Sequence, residues 1–186
     1  MYSWEVLECA CKTCNRCNLA STRTNVVVGE GNKKAKILLI GEGPGEKEDL
    51  SGRPFVGPAG QLLDKMLDSI ELTRDDVYIA NVVKCRPPGN RDPKSEEKDL
   101  CIEYLRYQFA LIKPQIIVCL GRIAAQAIIK PDFRITREHG KWISRKNCWM
   151  IATYHPSALL RDVDKKKDAF EDLKIIRKKI DELGLV

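Results

Sequence analysis

A glycine-rich segment that carries several carboxylates is the first stretch of this sequence whose residue types suit chemistry. The segment GEGPGEKEDLSGRPFVGPAG spans residues 41–60 and follows the apolar residues 37–40. Its glycines lack the G-x-G-x-x-G spacing of a dinucleotide-binding turn, and Pro44 removes a backbone donor. The carboxylates would also repel a phosphate. The segment better suits a neutral planar ligand with hydrogen-bonding edges, or a centre that develops positive charge, and a nucleobase being cut from its sugar offers both.

Eight cysteines suggest a second kind of chemistry, because an intracellular chain with this many thiols favours a metal site over disulfides. Disulfides stay open as an alternative if the source is a hyperthermophile. The segment CACKTCNRC contains two overlapping C-x-x-C pairs, Cys11 with Cys14 and Cys14 with Cys17, whereas fifteen residues separate Cys85 from Cys101. Structural zinc sites more often use two short pairs, so the long second gap favours an iron-sulfur cluster.

Four apolar, β-rich runs alternate with helical patterns along the chain. The runs predicted as strands are residues 35–40, 76–83, 115–120 and 148–154. The helices predicted after them are residues 61–70, 95–112, 122–129 and 165–183. Short, fully apolar strands separated by helices indicate a parallel sheet covered on both faces, which is an α/β fold of three layers. A chain of 186 residues can bury one good core, so we expect a single domain over residues 1–186 with an N-terminal cysteine segment.

Polar residues follow the predicted strands at their carboxyl ends, where ligands bind in sheets of this class. Asn81 lies near the end of the second strand, Gly121 follows the third, and His155 follows the fourth. Taken singly, each candidate has a structural explanation: Asn81 could cap a turn, His155 could satisfy a loop backbone, and Phe55 could belong to the core. Their joint placement at one edge of the sheet favours a binding site.

Charge and hydropathy narrow the range of partners. The formal net charge of +6 suits a polyanion such as nucleic acid, although ordinary globular proteins often carry a surplus of this size. No apolar stretch approaches the length of a membrane span, and the N-terminal sequence MYSWEVLECACKTC lacks the layout of a signal peptide. We therefore expect an intracellular protein, cytoplasmic and associated with the nucleoid, with no membrane partner.

Four ordered motifs resemble those of the family 4 uracil-DNA glycosylases, the thermostable iron-sulfur branch of that superfamily. The motifs are GEGPGEKEDLSGRPFVGPAGQLL, YIANVVKCRPPGNRDP, CLGRIAAQAI and YHPSALLR. The resemblance covers most of the chain, from the N-terminal cysteines to Arg161. It implies a four-stranded parallel sheet sandwiched between helices, and cleavage of the N-glycosidic bond of deoxyuridine in DNA.

The resemblance also implies a four-iron four-sulfur (4Fe-4S) cluster. Its thiolate ligands in this sequence would be Cys14, Cys17, Cys85 and Cys101. We expect the cluster to be structural, because nothing in the sequence demands redox chemistry. Cys119 and Cys148 are expected to be small core residues, and Cys9 and Cys11 have no assigned role.

The resemblance and the side-chain chemistry together assign roles in holding the base. The implied substrate-binding residues are Gly41, Gly43, Glu48, Phe55, Asn81 and His155. Phe55 would stack on a uracil flipped out of the duplex, and Asn81 would accept from N3–H and donate to O4, a pairing that cytosine reverses. Glu48 would lie where a thymine methyl would go, and the backbone of residues 42–45 would help to hold the base. His155 would donate to O2 and stabilise the charge that moves onto the leaving uracil.

The sequence offers two candidates for the residue that positions the attacking water. Better-known uracil glycosylases carry an aspartate two positions after the first glycine of this motif, where this chain has Gly43. Glu42 is the leading candidate to replace it and Asn90 the second, so the predicted catalytic residues are Glu42, Asn90 and His155. If the transition state is strongly dissociative, positioning and electrostatics matter more than a strong base, and the missing aspartate is tolerable.

The motif YHPSALLR resembles the segment that enters the minor groove of DNA in this family. The predicted DNA-binding residues are Ser157, Leu159, Leu160 and Arg161. Leu159 or Leu160 would fill the gap left by the flipped base, and Arg161 would meet a phosphate. We expect the protein to act on uracil-containing DNA as a monomer. A sliding clamp stays open as a further partner that nothing in the sequence indicates.

Two other classes of protein stay open. A non-catalytic iron-sulfur DNA-binding module would share the cysteines and the positive charge, but it would not need Phe55, Asn81 and His155 at one edge of the sheet. A related enzyme that traps the abasic sugar covalently would need a histidine before the second strand as its nucleophile. The only histidines are His139 and His155, and neither precedes that strand.

Overall fold

The four apolar runs form the centre of a six-stranded sheet in the computed structural model, which describes residues 3–186. The sheet order is β1-β3-β2-β4-β6-β5, and the four central strands are parallel. The strands are β1 Glu30–Gly31, β2 Ile37–Gly41, β3 Val77–Asn81, β4 Ile116–Leu120, β5 Ile143–Arg145 and β6 Cys148–Thr153. The first two residues of the predicted domain lie outside the described residues.

The predicted purely parallel four-stranded sheet needs correction at both edges. β1 pairs antiparallel with β3, and β5 pairs antiparallel with β6, so the sheet is mixed. These edge strands have two and three residues and are partly exposed, which leaves no apolar run for the sequence to reveal. Short edge strands of this kind limit pairing with other chains.

The four helices predicted after the central strands are present, with their ends unchanged or shifted by at most a few residues, and four other helices among the described residues were not predicted. The helices are α1 Trp4–Lys12, α2 Glu46–Ser51, α3 Pro58–Asp68, α4 Ser95–Ile112, α5 Arg122–Ile128, α6 Ile135–Glu138, α7 Pro156–Arg161 and α8 Lys165–Leu183. Two 3₁₀ turns cover Asn18–Ser21 and Pro88–Asn90. Helix α3 begins three residues before the predicted start, because Pro58 takes the first helical position, where its missing N–H costs nothing. Within residues 3–186 no helix has the length and apolar character needed to cross a membrane.

Alternate residues of the central strands face two separate apolar cores, one on each side of the sheet. Leu38 and Ile40 belong to the core that also contains residues of α1, α4 and α5, whereas Ile37 and Leu39 belong to the core built with α3, α7 and α8. This alternation is that of a sheet covered on both faces. The predicted three-layer α/β/α class is confirmed.

The register of the parallel strands brings the polar residues to one edge. Gly41 at the end of β2 lies opposite Asn81 at the end of β3. Leu120 of β4 pairs with Thr153 of β6, so His155 lies two residues beyond the end of β6. The carboxyl ends of all four strands therefore open towards the same loops.

Candidate active site and cysteine cluster

The loops beyond β2 and β3 and the start of α7 enclose a cavity of about 210 Å³, which we call the strand-end pocket. Most of the predicted catalytic and substrate-binding side chains line it. The lining residues are Glu42, Gly43, Pro44, Gly45, Glu48, Phe55, Ala59, Asn81, Pro87, Asn90, Arg91, His155 and Ser157. The cavity has both the carboxylates and the aromatic side chain that the sequence suggested for a planar ligand.

Asn81 presents an unpaired amide oxygen at the base of this pocket. The side chain is buried, and Oδ1 has no hydrogen-bond partner among residues 3–186. Gly41 lies against it so closely that a Cβ there would come within 2.4 Å of Asn81 Oδ1 and 2.6 Å of Phe55 Cζ. Leaving a buried acceptor unpaired costs about 1–3 kcal/mol, so its natural partner is a donor on a ligand.

Phe55 is held in a backbone conformation that few residues other than glycine adopt. Its φ is 53°, and Arg74 donates to the carbonyl oxygens of both Pro54, at 3.1 Å, and Phe55. A Cβ at Gly60 would lie 1.7 Å from the Phe55 oxygen, so only glycine fits there. The Phe55 ring lies 5.5 Å from the ring of His155, measured between centroids. Such strain persists where surrounding contacts enforce it, and here those contacts fix a flat apolar wall of the pocket.

Glu48 connects the glycine loop to the start of α3. Its Oε2 accepts from the N–H of Gly45 at 3.1 Å, and its Oε1 accepts from the N–H groups of Val56 and Gly57, both at 2.8 Å. Three backbone donors therefore occupy the carboxylate, which fixes the loop around Phe55. Its predicted place beside a thymine methyl stays a prediction.

His155 is a neutral hydrogen-bond donor aimed at the pocket. Its Nδ1 accepts from the backbone N–H of Ser157 at 3.1 Å and lies 2.8 Å from Ser157 Oγ. Because Nδ1 is the acceptor, Nε2 carries the proton in the neutral ring. Burial, with the positive charge of Arg161, lowers the pKa of His155 to about 4. The imidazole therefore donates a hydrogen bond without carrying charge near neutral pH.

Glu42 and Asn90 occupy different depths of the pocket. Glu42 is half-buried, and burial together with the nearby Asp92 carboxylate raises its pKa to about 7. Asn90 is exposed at the rim, where its Oδ1 accepts from Arg86 Nε at 2.8 Å. The amide oxygen of Asn90 is thus already engaged, and Glu42 is the better placed of the two to hold a water.

The loop that carries Asn90 is fastened to the start of α4. Arg91 donates to both carboxylate oxygens of Glu97, at 2.8 Å and 2.6 Å, and Glu97 is buried. Fork-shaped pairs of this kind fix orientation as well as distance. The rim of the pocket is therefore attached to a helix on the cysteine side of the sheet.

The two leucines of the predicted DNA-binding segment differ sharply. Leu159 is 2% exposed and packs in the core with α3 and α8, whereas Leu160 is 47% exposed. A buried core residue is not available to fill a gap in DNA, so the prediction is wrong for Leu159, and for Leu160 it stays a prediction. Arg161 is exposed beside Leu160, and the backbone N–H of Ser157 donates to Nδ1 of His155, the N-cap of α7.

Five cysteines meet at one small apolar cavity on the opposite side of β3. They come from the end of α1, the turn after it, the loop after β3, and α4, and they are Cys11, Cys14, Cys17, Cys85 and Cys101. The four predicted ligands are thus brought together, and the unassigned Cys11 is buried beside them. Cys9 is exposed, while Cys119 and Cys148 are buried in the core; all eight cysteines are free thiols.

The donor set of this cavity fits an iron-sulfur cluster. Burial raises the pKa of Cys85, and raises that of Cys101 to about 11, so these thiols ionise only if a positive centre stabilises the thiolates. Arg23 donates to Cys85 Sγ at 3.4 Å, and the Lys84 N–H donates to Cys101 Sγ at 3.3 Å. Within residues 3–186 no three metal-binding side chains converge closely enough for a single ion. The spacing of the predicted ligands along the chain, with a long gap between Cys85 and Cys101, favours an iron-sulfur cluster over a structural zinc site.

Two residues that matter for this geometry were not predicted from the sequence. Arg74 acts on backbone carbonyls from a loop remote in sequence, so no pattern identifies it. Lys84 is 1% exposed within the run VVKC, and a lysine in an otherwise apolar run is a signal that could have been used.

Comparison with known proteins agrees with this geometry. The family model described as the Uracil DNA glycosylase superfamily matches residues 28–174. The chain is 49% identical over 172 residues to the Type-4 uracil-DNA glycosylase of Archaeoglobus fulgidus, covering 88% of this chain and 86% of that relative. It is 47% identical to the proteins of the same name from Thermotoga maritima and Sulfurisphaera tokodaii. These alignments cover 85% and 89% of this chain, and 83% and 79% of those relatives.

Proposed function

The chain belongs to the uracil DNA glycosylase superfamily, and from that premise we propose that it flips deoxyuridine out of DNA and hydrolyses its N-glycosidic bond. The products are free uracil and an abasic site. The observation that carries the proposal is the unpaired, buried Oδ1 of Asn81 in a pocket that also holds Phe55 and a neutral His155. A base edge supplies the donor that Asn81 lacks.

Base recognition uses the wall and the floor of the strand-end pocket. Extruding a base from the duplex costs a few kcal/mol, less where the pair is mismatched. The Phe55 ring stacks on the extruded uracil, Asn81 Oδ1 accepts from N3–H, and Asn81 Nδ2 donates to O4. Cytosine presents the opposite pattern at these two positions, so it leaves both groups of Asn81 unpaired, which a buried polar site penalises heavily.

Bond cleavage uses His155 and Glu42. As the bond between C1′ and N1 breaks, its electron pair moves onto uracil, and His155 Nε2–H stabilises the negative charge at O2. The sugar becomes electron-poor and faces the ionised Glu42 carboxylate. A water held by Glu42 adds its oxygen to C1′, and its proton passes to that carboxylate and then to solvent. The departing uracil anion takes up a proton at N1 from solvent. Such roles need correct placement more than a strong base.

DNA binding uses the exposed end of α7. Leu160 fills the space that the extruded nucleotide leaves, and Arg161 pairs with a phosphate. The backbone N–H of Ser157 keeps His155 oriented, and helix α7, which carries Ser157, faces the DNA. The net charge of +6 supports association with the polyanion.

The cysteine cavity holds a 4Fe-4S cluster through Cys14, Cys17, Cys85 and Cys101. When bound, the cluster would supply positive iron centres that keep the four thiols ionised and crosslink the segments that carry them. Those segments are the N-terminal turn, the loop after β3 and α4. Cys85 and Cys101 are buried, whereas Cys14 and Cys17 are partly exposed. The cluster is therefore structural, and it supports the loop that leads to the pocket rim.

We further propose that the enzyme works as a monomer, as one domain, in the cytoplasm beside the nucleoid. A non-catalytic DNA-binding module would have no use for an unpaired buried amide in a pocket that also holds Phe55 and His155, and the names of the relatives do not favour it.

The decisive experiment uses oligonucleotides that contain a single uracil or a single thymine, followed by alkali to cleave abasic sites. We expect cleavage at uracil and none at thymine. Asn81→Asp should lower the single-turnover rate on uracil by orders of magnitude, because an ionised carboxylate cannot donate to O4. Cys119→Ala, a core change away from the pocket, is the matched control. Wild-type rates from Asn81→Asp would contradict the role of Asn81.

A further inference from the structure

A lysine lies fully inside the protein between the strand-end pocket and the cysteine cavity. Lys84 is 1% exposed, three residues after Asn81 and immediately before Cys85. It also lines the cysteine cavity. Charged side chains are almost never buried to this degree unless something inside compensates them.

The hydrogen bonds of the Lys84 ammonium all go to neutral groups. Nζ donates to the backbone oxygen of Asn81 at 2.9 Å and to Gln108 Oε1 at 2.6 Å. Gln108 in turn donates to the carbonyl of Val28 at 2.8 Å. In the part of the chain that the structure describes, no carboxylate pairs with Lys84. The groups that can become anionic around it are Cys101, Cys11 and Cys85.

The short segment between Asn81 and Cys85 is fastened on one side to the glycine loop. Val82 N–H donates to the Gly41 oxygen at 3.0 Å, and Val83 N–H donates to the Glu42 oxygen at 3.1 Å. The bond from Lys84 Nζ back to the Asn81 oxygen closes this segment on itself. The backbone N–H of Lys84 donates to Cys101 Sγ at 3.3 Å. One residue thus contacts both the backbone of Asn81 and the cysteine set.

We propose that Lys84 is a positioning residue that fixes Asn81 for uracil while its ammonium supplies the buried positive charge facing the cluster thiolates. The inference rests on the proposed function, since it takes Asn81 as the uracil reader and the cysteines as cluster ligands. Four thiolates around a 4Fe-4S core leave an excess of negative charge in an apolar cavity, and Lys84 is the buried cation beside it. Its loss therefore affects the cluster and the pocket together.

The test replaces Lys84 by methionine, which keeps the length of the side chain and removes the charge and both donors. Tyr78→Phe is the matched control: its hydroxyl accepts from Gln108 in the same buried network, and it has no hydrogen bond to Asn81 or to a cysteine. Iron content verifies that each protein is loaded. The measurements are the midpoint potential of the cluster, the single-turnover excision rate at saturating enzyme, and the affinity for uracil-containing DNA.

For Lys84→Met we expect a midpoint potential more negative than that of wild type, because removing a positive charge disfavours an added electron. We expect the excision rate to fall by roughly tenfold to a hundredfold through misplacement of Asn81, with DNA affinity unchanged. Tyr78→Phe should match wild type in all three measurements. If Lys84→Met does not fold with its iron, Lys84→Gln takes its place, since it removes the charge and keeps a neutral donor.

An iron-loaded Lys84 variant with wild-type potential and wild-type excision would overturn the inference. An iron-loaded variant in which only the midpoint potential or only the excision rate changes would also overturn it, because the proposal makes Lys84 responsible for both. Failure of the proposed function has a different signature. If Asn81→Asp excises uracil normally, the proposed role of Asn81 in binding uracil is wrong. In that case the midpoint potential alone tests Lys84, and an unchanged potential in Lys84→Met overturns the charge assigned to it. If the wild-type protein holds no iron, the excision rate alone tests Lys84. An unchanged rate in Lys84→Met then overturns the proposal that Lys84 positions Asn81.

Discussion

Among the individual residues, Glu42 has a pKa above its ordinary value and His155 has a pKa below its ordinary value. The two residues therefore affect the excision rate in different pH ranges. Burial raises the pKa of Glu42 to about 7, and burial lowers that of His155 to about 4. In the proposed mechanism the active form of Glu42 is the carboxylate, so activity requires a pH above its pKa. The active form of His155 is the neutral ring, which persists down to about pH 4.

We therefore expect the single-turnover excision rate to fall as the pH drops below about 7, with a single inflection that belongs to Glu42. Glu42→Gln should lower the rate and remove the inflection, because the amide does not titrate. Rates measured at saturating enzyme across neutral pH check this. An inflection that survives in Glu42→Gln would assign it to another group. His155 should cause no second inflection near neutral pH, because its pKa is about 4.

Arg74 is predicted to act on catalysis through Phe55 alone. Arg74→Lys keeps the charge but loses the fork that holds the Pro54 and Phe55 carbonyls, so Phe55 can relax out of its strained conformation. We expect single-turnover excision to fall by roughly tenfold to a hundredfold.

The matched control for Arg74 is Asp64→Asn. It weakens only the ion pair of Asp64 with Arg74 Nε, which is 2.7 Å long and involves a half-exposed carboxylate. Exposed pairs contribute little, so this variant should excise uracil like wild type. Equal rates for Arg74→Lys and wild type would remove Arg74 from the description of the pocket.

Among the elements, α7 places a core residue, Leu159, next to Leu160, the residue that we propose contacts DNA. Leu160→Ala should leave the stability intact and impair excision more for uracil opposite adenine than for uracil opposite guanine or in a single strand, because a stable pair must be broken first. Parallel excision assays on the three substrates measure this.

Leu159→Ala is the matched partner of that substitution. It should lower the free energy of unfolding by about 2–5 kcal/mol, as expected for truncation of a buried leucine, without a preference among the three substrates. Thermal or denaturant unfolding of both variants checks the contrast. Equal impairment of Leu160→Ala on every substrate would mean that this side chain does not replace the flipped base.

The same helix illustrates which elements the sequence could predict. The four central strands were predictable because each is a continuous apolar run, and their polar successors, Asn81 and His155, follow from strand ends alone. Helix α7 has only six residues, too few to show which side is buried, so Leu159 and Leu160 were not separable. The edge strands β1 and β5 were not predicted for a related reason, because two or three residues are too few to show an alternation of apolar and polar side chains.

The pocket contacts divide in the same way. Asn81, Phe55 and Glu42 carry distinctive chemistry next to strands, and their meeting in one cavity could be anticipated. The bonds of Arg74 and Glu48 end on backbone atoms, which are alike in every residue, so only the folded chain shows them. The placement of Cys11 beside the four predicted ligands likewise depends on how α1 packs against α4.

For the molecule as a whole, the cysteine cavity predicts a coloured, iron-containing protein. We expect broad absorbance near about 400 nm from thiolate-bound iron. Cys85→Ser or Cys101→Ser should lower iron content and thermal stability more than Cys119→Ala or Cys148→Ala, because the first pair faces the cavity and the second lies in the core. A colourless protein that contains zinc and no iron would contradict the assignment.

The sheet separates the cysteine cavity and the Phe55 wall of the strand-end pocket into different cores. The cysteines pack with α1 and α4 on one face, and Phe55 packs with α3, α7 and α8 on the other. Oxidative loss of iron should therefore loosen one half of the enzyme first: amide protection against hydrogen exchange falls in the N-terminal segment, in α4 and in the rim loop that Arg91 fastens to it. The half that holds Phe55 and His155 stays protected. Oxidatively damaged enzyme would then retain its stacking surface and lose the rim that closes over the base.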